Sequence, residues 1–551
     1  MDATMQDVPL TISRLFRHGA RIHGRSQVLT FDGSELRSRT FAEVGERAER
    51  LAAGLAHLGV EPGDRVGSLM WTTNEHLEAY FAVPGMGAVL HTLNLRLHPD
   101  QLAHIVNDAE DRAIITHATV LPLLARIAER LPTVRDYVIV DDRPNSGAEL
   151  STSEQALVSA LSATARVTGY EDLLAGEQPG YEWPEMDEWS AALMCYTSGT
   201  TGDPQGVVYS HRSIFLHTFG ANSSGFQVGQ RERALVVVPM FHVMAWGLPF
   251  CAWINGADMV MPSRFLQGEP LARMIETARV TYSAGVPTIW AQLLAYVEAN
   301  PETDLSSLQL LVSGGAALPP SMIRAFDALG IRMIQGWGLT ETSPIGAVGE
   351  PPKHVDPWDV TYRSKTGRVV PGVELRIVDQ QGSVLPWDGK AAGEIELRGP
   401  WVIGSYYKGR NPDRFHDGWF KTGDVATVDD EGFVTINDRL KDVIKSGGEW
   451  ISSVDLENEI MNHPAVEEAM VIGVPDDRWG ERPLAVVVAR PGQQPTAQEL
   501  RDWLEPRVTP WWVPEQWSFA EELPKTSVGK FDKKLIRNRE AAGELEVIRT
   551  G

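Results

Sequence analysis

Cysteine is scarce. The 551-residue chain has two, Cys195 and Cys251, both in apolar surroundings, which excludes a disulfide framework and a cysteine-ligated zinc site. A reducing compartment, the cytoplasm, is the expected setting. Positive charge is also in deficit: 50 basic against 73 acidic residues leave a formal net charge of -23. Such a field repels nucleic acid and anionic membrane surfaces. Small anionic ligands are still admissible where backbone N–H groups, lysines and a metal ion cradle them locally. The opening residues, MDATMQDVPLTISRLFRHGAR, lack the charged-then-apolar order of a secretory signal.

Long hydrophobic runs are rare too. One stretch, Ala234 to Ile254, is 21 residues without a formal charge. Pro239 and Pro249 would each remove a helix hydrogen bond, and His242 and Gly247 further disfavour a lipid-facing helix. No transmembrane segment is therefore expected; the run predicts a buried strand, a turn and a buried helix. There is no internal repeat and no low-complexity tract.

What is present is an ordinary globular composition, 43% hydrophobic and 22% charged, on a chain too long for one core. Val44, Ala48, Leu51, Leu55 and Leu58 recur at helical spacing, then a Pro-Gly-Asp turn leads to the strand-like Val66 to Met70. Short β-rich runs at Leu235 to Val238, Val280 to Ser283 and Leu308 to Ser313 alternate with amphipathic segments such as Pro320 to Leu329. This α/β pattern predicts β-sheets covered by helices. After Asp438 the pattern changes: a helix near Asp455 to Met461, strands near Ala469 to Val474 and Leu484 to Ala489, and a helix from Ala497 capped by Thr496 and Glu499. The expected division is a large domain, 1–438, and a small α+β domain, 439–551.

The segment Tyr196-Thr-Ser-Gly-Thr-Thr-Gly-Asp-Pro-Gln-Gly206 is dense in glycine and hydroxyls, suited to bringing backbone N–H groups to phosphate oxygens and a hydroxyl to magnesium. No Gly-Lys-Ser/Thr follows, so it is not a Walker loop. Alone it could be a plain surface loop. It is followed in order by QGWGLTE (335–341), KTGD (421–424), DRLKD (438–442), KSGGEWI (445–451) and PKTSVGK (524–530). Together these motifs resemble the adenylate-forming superfamily, and within it the medium- and long-chain fatty acyl-CoA synthetases. The resemblance covers nearly the whole chain.

The resemblance implies a mobile C-terminal domain and two half-reactions. A carboxylate and MgATP give acyl-AMP and pyrophosphate, and CoA then takes the acyl group. It makes Thr197 and Glu341 the magnesium-side residues, and Ser198, Gly199, Thr200, Thr201 and Gly202 the phosphate loop. Gly315, Gln335, Gly336 and Trp337 match the adenine and adenylate pocket, with Trp337 where such enzymes often carry tyrosine. Thr340 matches a phosphate contact, and Asp424 the acceptor of both ribose hydroxyls. Arg439, Lys441, Lys445 and Trp450 match positions around the nucleotide and hinge, with Lys441 the pivot. Lys530 matches the adenylation lysine, and Gly447 and Gly448 the wall of the pantetheine tunnel. A homodimer is common among similar enzymes. One departure stands out: the loop reads Pro204-Gln205-Gly206 where a lysine is usual, so either ATP binds more weakly or a neighbour such as Arg212 supplies the missing charge.

In Pro239-Met-Phe-His-Val-Met-Ala-Trp246, His242 occupies the place of the aspartate that binds an amino acid's ammonium, which disfavours amino-acid substrates. His242, Val243 and Trp246 are the candidate acyl-binding residues. Trp246 reads either as a tunnel gate with few packing partners or as core. A fatty acid is the expected substrate. A short-chain, aryl or methylthiopropionate-type acid stays open, as do a fatty acyl-AMP ligase loading a carrier protein and a nucleotide-binding regulator without chemistry.

Overall fold

The computed structural model describes residues 4–141, 152–197, 204–224, 227–446, 449–476, 478–525 and 531–550. Among them the strands form three sheets. One has seven strands, in the order Arg166–Gly169, Asp136–Val140, Asp111–His117, Arg65–Leu69, Val89–Thr92, Ala191–Tyr196 and Gly206–Ser210. It is parallel except for its last pair. That pair is a hairpin whose connection is the glycine- and hydroxyl-rich loop. A second sheet of fourteen strands has a parallel region, including Arg233–Leu235, Tyr282–Gly285, Leu310–Ser313 and Arg332–Gly338, that turns antiparallel from Ile345–Val348 onward.

Local chemistry places the covering helices. Helix Phe41–His57 starts at a capping box: Glu43 N–H donates to Thr40 Oγ1 at 3.2 Å, and Thr40 N–H donates to the Glu43 carboxylate at 2.6 Å. Its apolar stripe, Val44, Ala48, Leu51 and Leu55, is fully buried. Helix Asn74–Gly85 is buried on every side, so its carboxylates need partners. Glu78 receives Arg47 Nε at 2.6 Å and the Tyr170 hydroxyl.

The uncharged run divides as expected into the strand Arg233–Leu235, a turn at Val243–Gly247 and the buried helix Leu248–Asn255. No helix among the described residues is long and apolar enough to cross a membrane. The turn is unusual, because Val243, Met244, Ala245 and Trp246 take positive φ values of 43°, 52°, 50° and 59°. Each such residue costs about 1–2 kcal/mol relative to a right-handed turn, so dense packing must hold the segment. Gly247 ends it at φ 76°, where a Cβ would lie 2.6 Å from His217 Cε1.

The strand Phe433–Arg439 belongs to the large sheet and Ile444–Ser446 to a separate six-stranded sheet, so the chain crosses between them over 440–443. The smaller sheet carries the hairpin Val466–Asp476 with Gly480–Ala489, covered by helices Ser453–Met461, Ala497–Leu504 and Lys533–Ala541. Its core centres on Ile444, Leu456, Val471, Val487, Leu500 and Trp517.

Candidate active site

A cleft of about 1040 Å³ opens where the carboxyl ends of the parallel strands meet the small sheet's helices. Thr197, His242, Val243, Trp246, Gly315, Gly336, Trp337, Thr340, Glu341, Arg439 and Lys441 all line it. Residues more than 200 positions apart in sequence are thus brought to one cavity.

Thr197 N–H donates to the Gln205 carbonyl at 2.9 Å and Gln205 N–H donates to Thr197 Oγ1 at 3.2 Å, which joins the two ends of the loop. On the same cleft, the strand Arg332–Gly338 runs into a short turn, Thr340–Thr342, that presents Glu341. The Tyr406 hydroxyl donates to Glu341 Oε1 at 2.6 Å, and the Tyr209 hydroxyl donates to the Thr340 carbonyl at 2.7 Å. Burial and the neighbouring Glu341 carboxylate push the Tyr406 hydroxyl well above its ordinary pKa, so it stays protonated and donates.

Trp337 Nε1–H donates to Asp424 Oδ2 at 3.1 Å, and Arg439 Nε pairs with Asp424 Oδ1 at 2.6 Å. Asp424 lies just behind the lining residues Thr422 and Gly423. Gln335 stands one layer back, where its Oε1 accepts the Leu318 N–H at 3.2 Å. Val243, Trp246, Val286, Gly314, Pro344 and Ile345 supply apolar lining, and His242 also lines the cleft. Gly314 is small by necessity, since a Cβ there would lie 2.6 Å from the Gly336 carbonyl and 3.2 Å from the Trp246 indole.

Two alternatives that the sequence leaves open are decided by the fold. Arg212 does not reach the cleft. It opens the helix His211–Asn222, pairs with Glu188 and lies 5.0 Å over the Trp189 ring, so it supplies no charge near Gln205. Cations do line the cleft, but from later in the chain: Arg414, Lys533 and Lys534 beside Arg439 and Lys441. Trp246, for its part, is not a sparsely packed gate; it is 9% exposed and belongs to the main core while it lines the cleft.

Lys445 is exposed on its strand, with its N–H on Glu481 at 2.8 Å, and does not line the cavity. Trp450 contributes backbone to the strand Glu449–Ile451, and its side chain lies outside the described residues. Ser198, Gly199, Thr200, Thr201, Gly202, Gly447, Gly448 and Lys530 also lie outside them. The sequence reading missed Tyr406 and Tyr209. Each acts through a hydroxyl on a residue far away in sequence, and neither a strand tyrosine (Tyr209) nor a loop tyrosine (Tyr406) carries a pattern that marks it.

Thr197 and Glu341 offer hard oxygens on one cavity, and each keeps acceptor capacity beyond its protein hydrogen bond. That fits magnesium, which is usually held by one or two protein oxygens together with phosphates and water.

The AMP-binding enzyme model matches residues 16–407, and the AMP-binding enzyme C-terminal domain matches 455–530. The chain belongs to the AMP-binding enzymes. It is 43% identical over 542 residues to a 3-methylmercaptopropionyl-CoA ligase of Ruegeria lacuscaerulensis, covering 97% of this chain and 98% of that one. It is also 43% identical over 547 residues to a long-chain-fatty-acid–CoA ligase of Thermus thermophilus, covering 98% and 97%. Among solved structures, an anthranilate CoA ligase in complex with anthranoyl-AMP superposes with a TM-score of 0.84 at 28% identity, covering 98% of this chain and all of that one.

Proposed function

We propose that this chain is an AMP-forming acid–CoA ligase acting on a fatty acid. The observation that carries the reading is a single cleft lined by hard oxygens (Thr197, Glu341), by Trp337 and Arg439, which both hold Asp424, and by apolar side chains (Val243, Trp246, Ile345). A carboxylate oxygen attacks the α-phosphorus of ATP and pyrophosphate leaves. The CoA thiol then attacks the acyl carbonyl, its proton is lost, and AMP departs. Magnesium, held by Thr197 and Glu341, would neutralise charge on the phosphates. Asp424 accepts the ribose hydroxyls, and Lys530 stabilises the charge that develops as pyrophosphate leaves.

The division at 438/439 serves the same reading, since the four-residue crossing at 440–443 suits a pivot at Lys441. Two cysteines, both buried and unpaired, are compatible with a cytoplasmic setting.

A second reading, a short sulfur-containing acid, is favoured by the Trp246 indole, a bulky ring that lines the cleft beside Gly314. AMP release over a panel of straight-chain, aryl and methylthio acids, with and without CoA, tests both. CoA-dependent turnover rising with chain length supports the fatty acid. A maximum at short methylthio acids selects the second reading, and AMP release indifferent to CoA removes the ligase assignment.

A further inference from the structure

An indole carries its donor on the side of the ring, so one tryptophan can offer a face to a base and an edge to an acid. Trp337 is placed for both. It lines the cleft, and one side of its ring rests on the backbone of Gly346, where an added Cβ would come within 2.8 Å of it. Its Nε1–H reaches Asp424 Oδ2 at 3.1 Å in a buried bond. Arg439 Nε holds the other oxygen, Oδ1, at 2.6 Å. Asp424 is 2% exposed and its backbone N–H donates to Thr422 Oγ1 at 3.1 Å, so its backbone is fixed while its carboxylate oxygens face two donors.

A carboxylate has about four lone-pair sites. Here one donor occupies each oxygen, which leaves one site on each, and a vicinal diol has two O–H groups to fill them. The Trp337 bond keeps that division even. Without it the carboxyl group can rotate toward the Arg439 guanidinium, whose forked donors favour bidentate pairing, and the two free sites no longer face the diol.

We propose that Trp337 is a positioning residue for ribose recognition, its N–H holding Asp424 so that the carboxylate accepts both ribose hydroxyls of ATP. The inference rests on the reading of Asp424 as the ribose acceptor.

The test uses the full-length protein and calorimetric titration with MgATP and with Mg-2′,3′-dideoxy-ATP. Two variants delete the N–H: Trp337→Phe, and replacement of Trp337 by 3-benzothienylalanine, which keeps the bicyclic shape should the smaller ring unsettle the fold. Both are expected to weaken ATP binding about tenfold, the order expected for one hydrogen bond to a charged group. Binding of the dideoxy nucleotide should change less than about twofold. Equal weakening for both nucleotides would make Trp337 only a wall for the base, and unchanged ATP binding in the benzothienyl variant would leave the bond without a role; either overturns the proposal. Asp424→Asn is the control on its foundation: if that variant still prefers ATP to the dideoxy nucleotide as strongly as the parent does, the ribose reading fails and the proposal with it.

Discussion

The Tyr406 hydroxyl donates to Glu341 Oε1 at 2.6 Å across 65 positions of sequence, and it joins a half-exposed loop to an acid that lines the cleft. Tyr406 itself is 5% exposed and packs edge-on against Phe415 at 5.8 Å. Tyr406→Phe keeps this packing and frees Glu341 to change rotamer. Folding stability should fall by only about 1 kcal/mol, while the magnesium concentration for half-maximal pyrophosphate release rises several-fold. A variant with the magnesium dependence of the parent would show that Tyr406 does not orient the acid.

Lys530→Ala is expected to abolish acyl-AMP formation from acid and ATP while thioester formation from supplied acyl-AMP survives. In the proposed reaction the lysine is required only while pyrophosphate leaves. Equal loss in both half-reactions, with an unchanged melting curve, would remove it from that role.

Lys441 sits in the crossing between the two sheets, where Asp442 and Val443 both donate to the Arg439 carbonyl at 2.8 Å. Proline fixes φ near -65°. Lys441→Pro should therefore slow thioester formation far more than adenylation, as separate single-turnover measurements of the two steps would reveal. Comparable slowing of both steps would place the pivot elsewhere.

Trp246 combines core packing with a place on the cleft wall, so Trp246→Ala should change two observables together. Loss of a large buried ring costs about 3–5 kcal/mol when fully enclosed, and the side open to the cleft brings the expected loss to the lower part of that range. The space released beside Gly314 should shift the acid preference toward longer or bulkier chains. A destabilised variant with the parental ranking of acids would leave chain-length control to Val243 and Ile345.

Three buried histidines set an acid limit. Burial lowers His76 to about 4, His211 to about 4 and His217 to about 3, against 6.5 in the unfolded chain. A depressed pKa means that the folded state resists the proton. The stability involved is therefore fully present above pH 6.5 and is lost as pH falls from there toward the folded values. His217 Nε2 accepts the Ile345 N–H at 3.3 Å, a bond that protonation would break. In His217→Gln, the loss of unfolding free energy between roughly pH 6 and 4 should be shallower by about 1.4 kcal/mol per pH unit. Denaturant titrations across that range measure the slope, and parallel curves for parent and variant would exclude His217.

Much of this protein is local, and the sequence determined those parts alone. Helix Phe41–His57 follows from an apolar stripe at helical spacing and a capping box, both set by residues within a few positions of each other. The same holds for the helix capped by Thr496 and for the strand, turn and helix that replace a membrane span at 234–254. The motifs that carry Thr197, Glu341 and Arg439, which line one cleft, were legible because each motif is contiguous. What only the tertiary structure decided is which side chains face each other across the cleft. Arg212 looked available to replace the missing loop lysine, yet Glu188 and Trp189 hold it at a helix start. The Tyr406 to Glu341 and Trp337 to Asp424 bonds join residues 65 and 87 positions apart. Four successive left-handed residues ending at Trp246 run against local preference. Such a conformation persists only where surrounding packing outweighs a cost of about 1–2 kcal/mol per residue, and that packing comes from segments that periodicity and motif spacing do not connect.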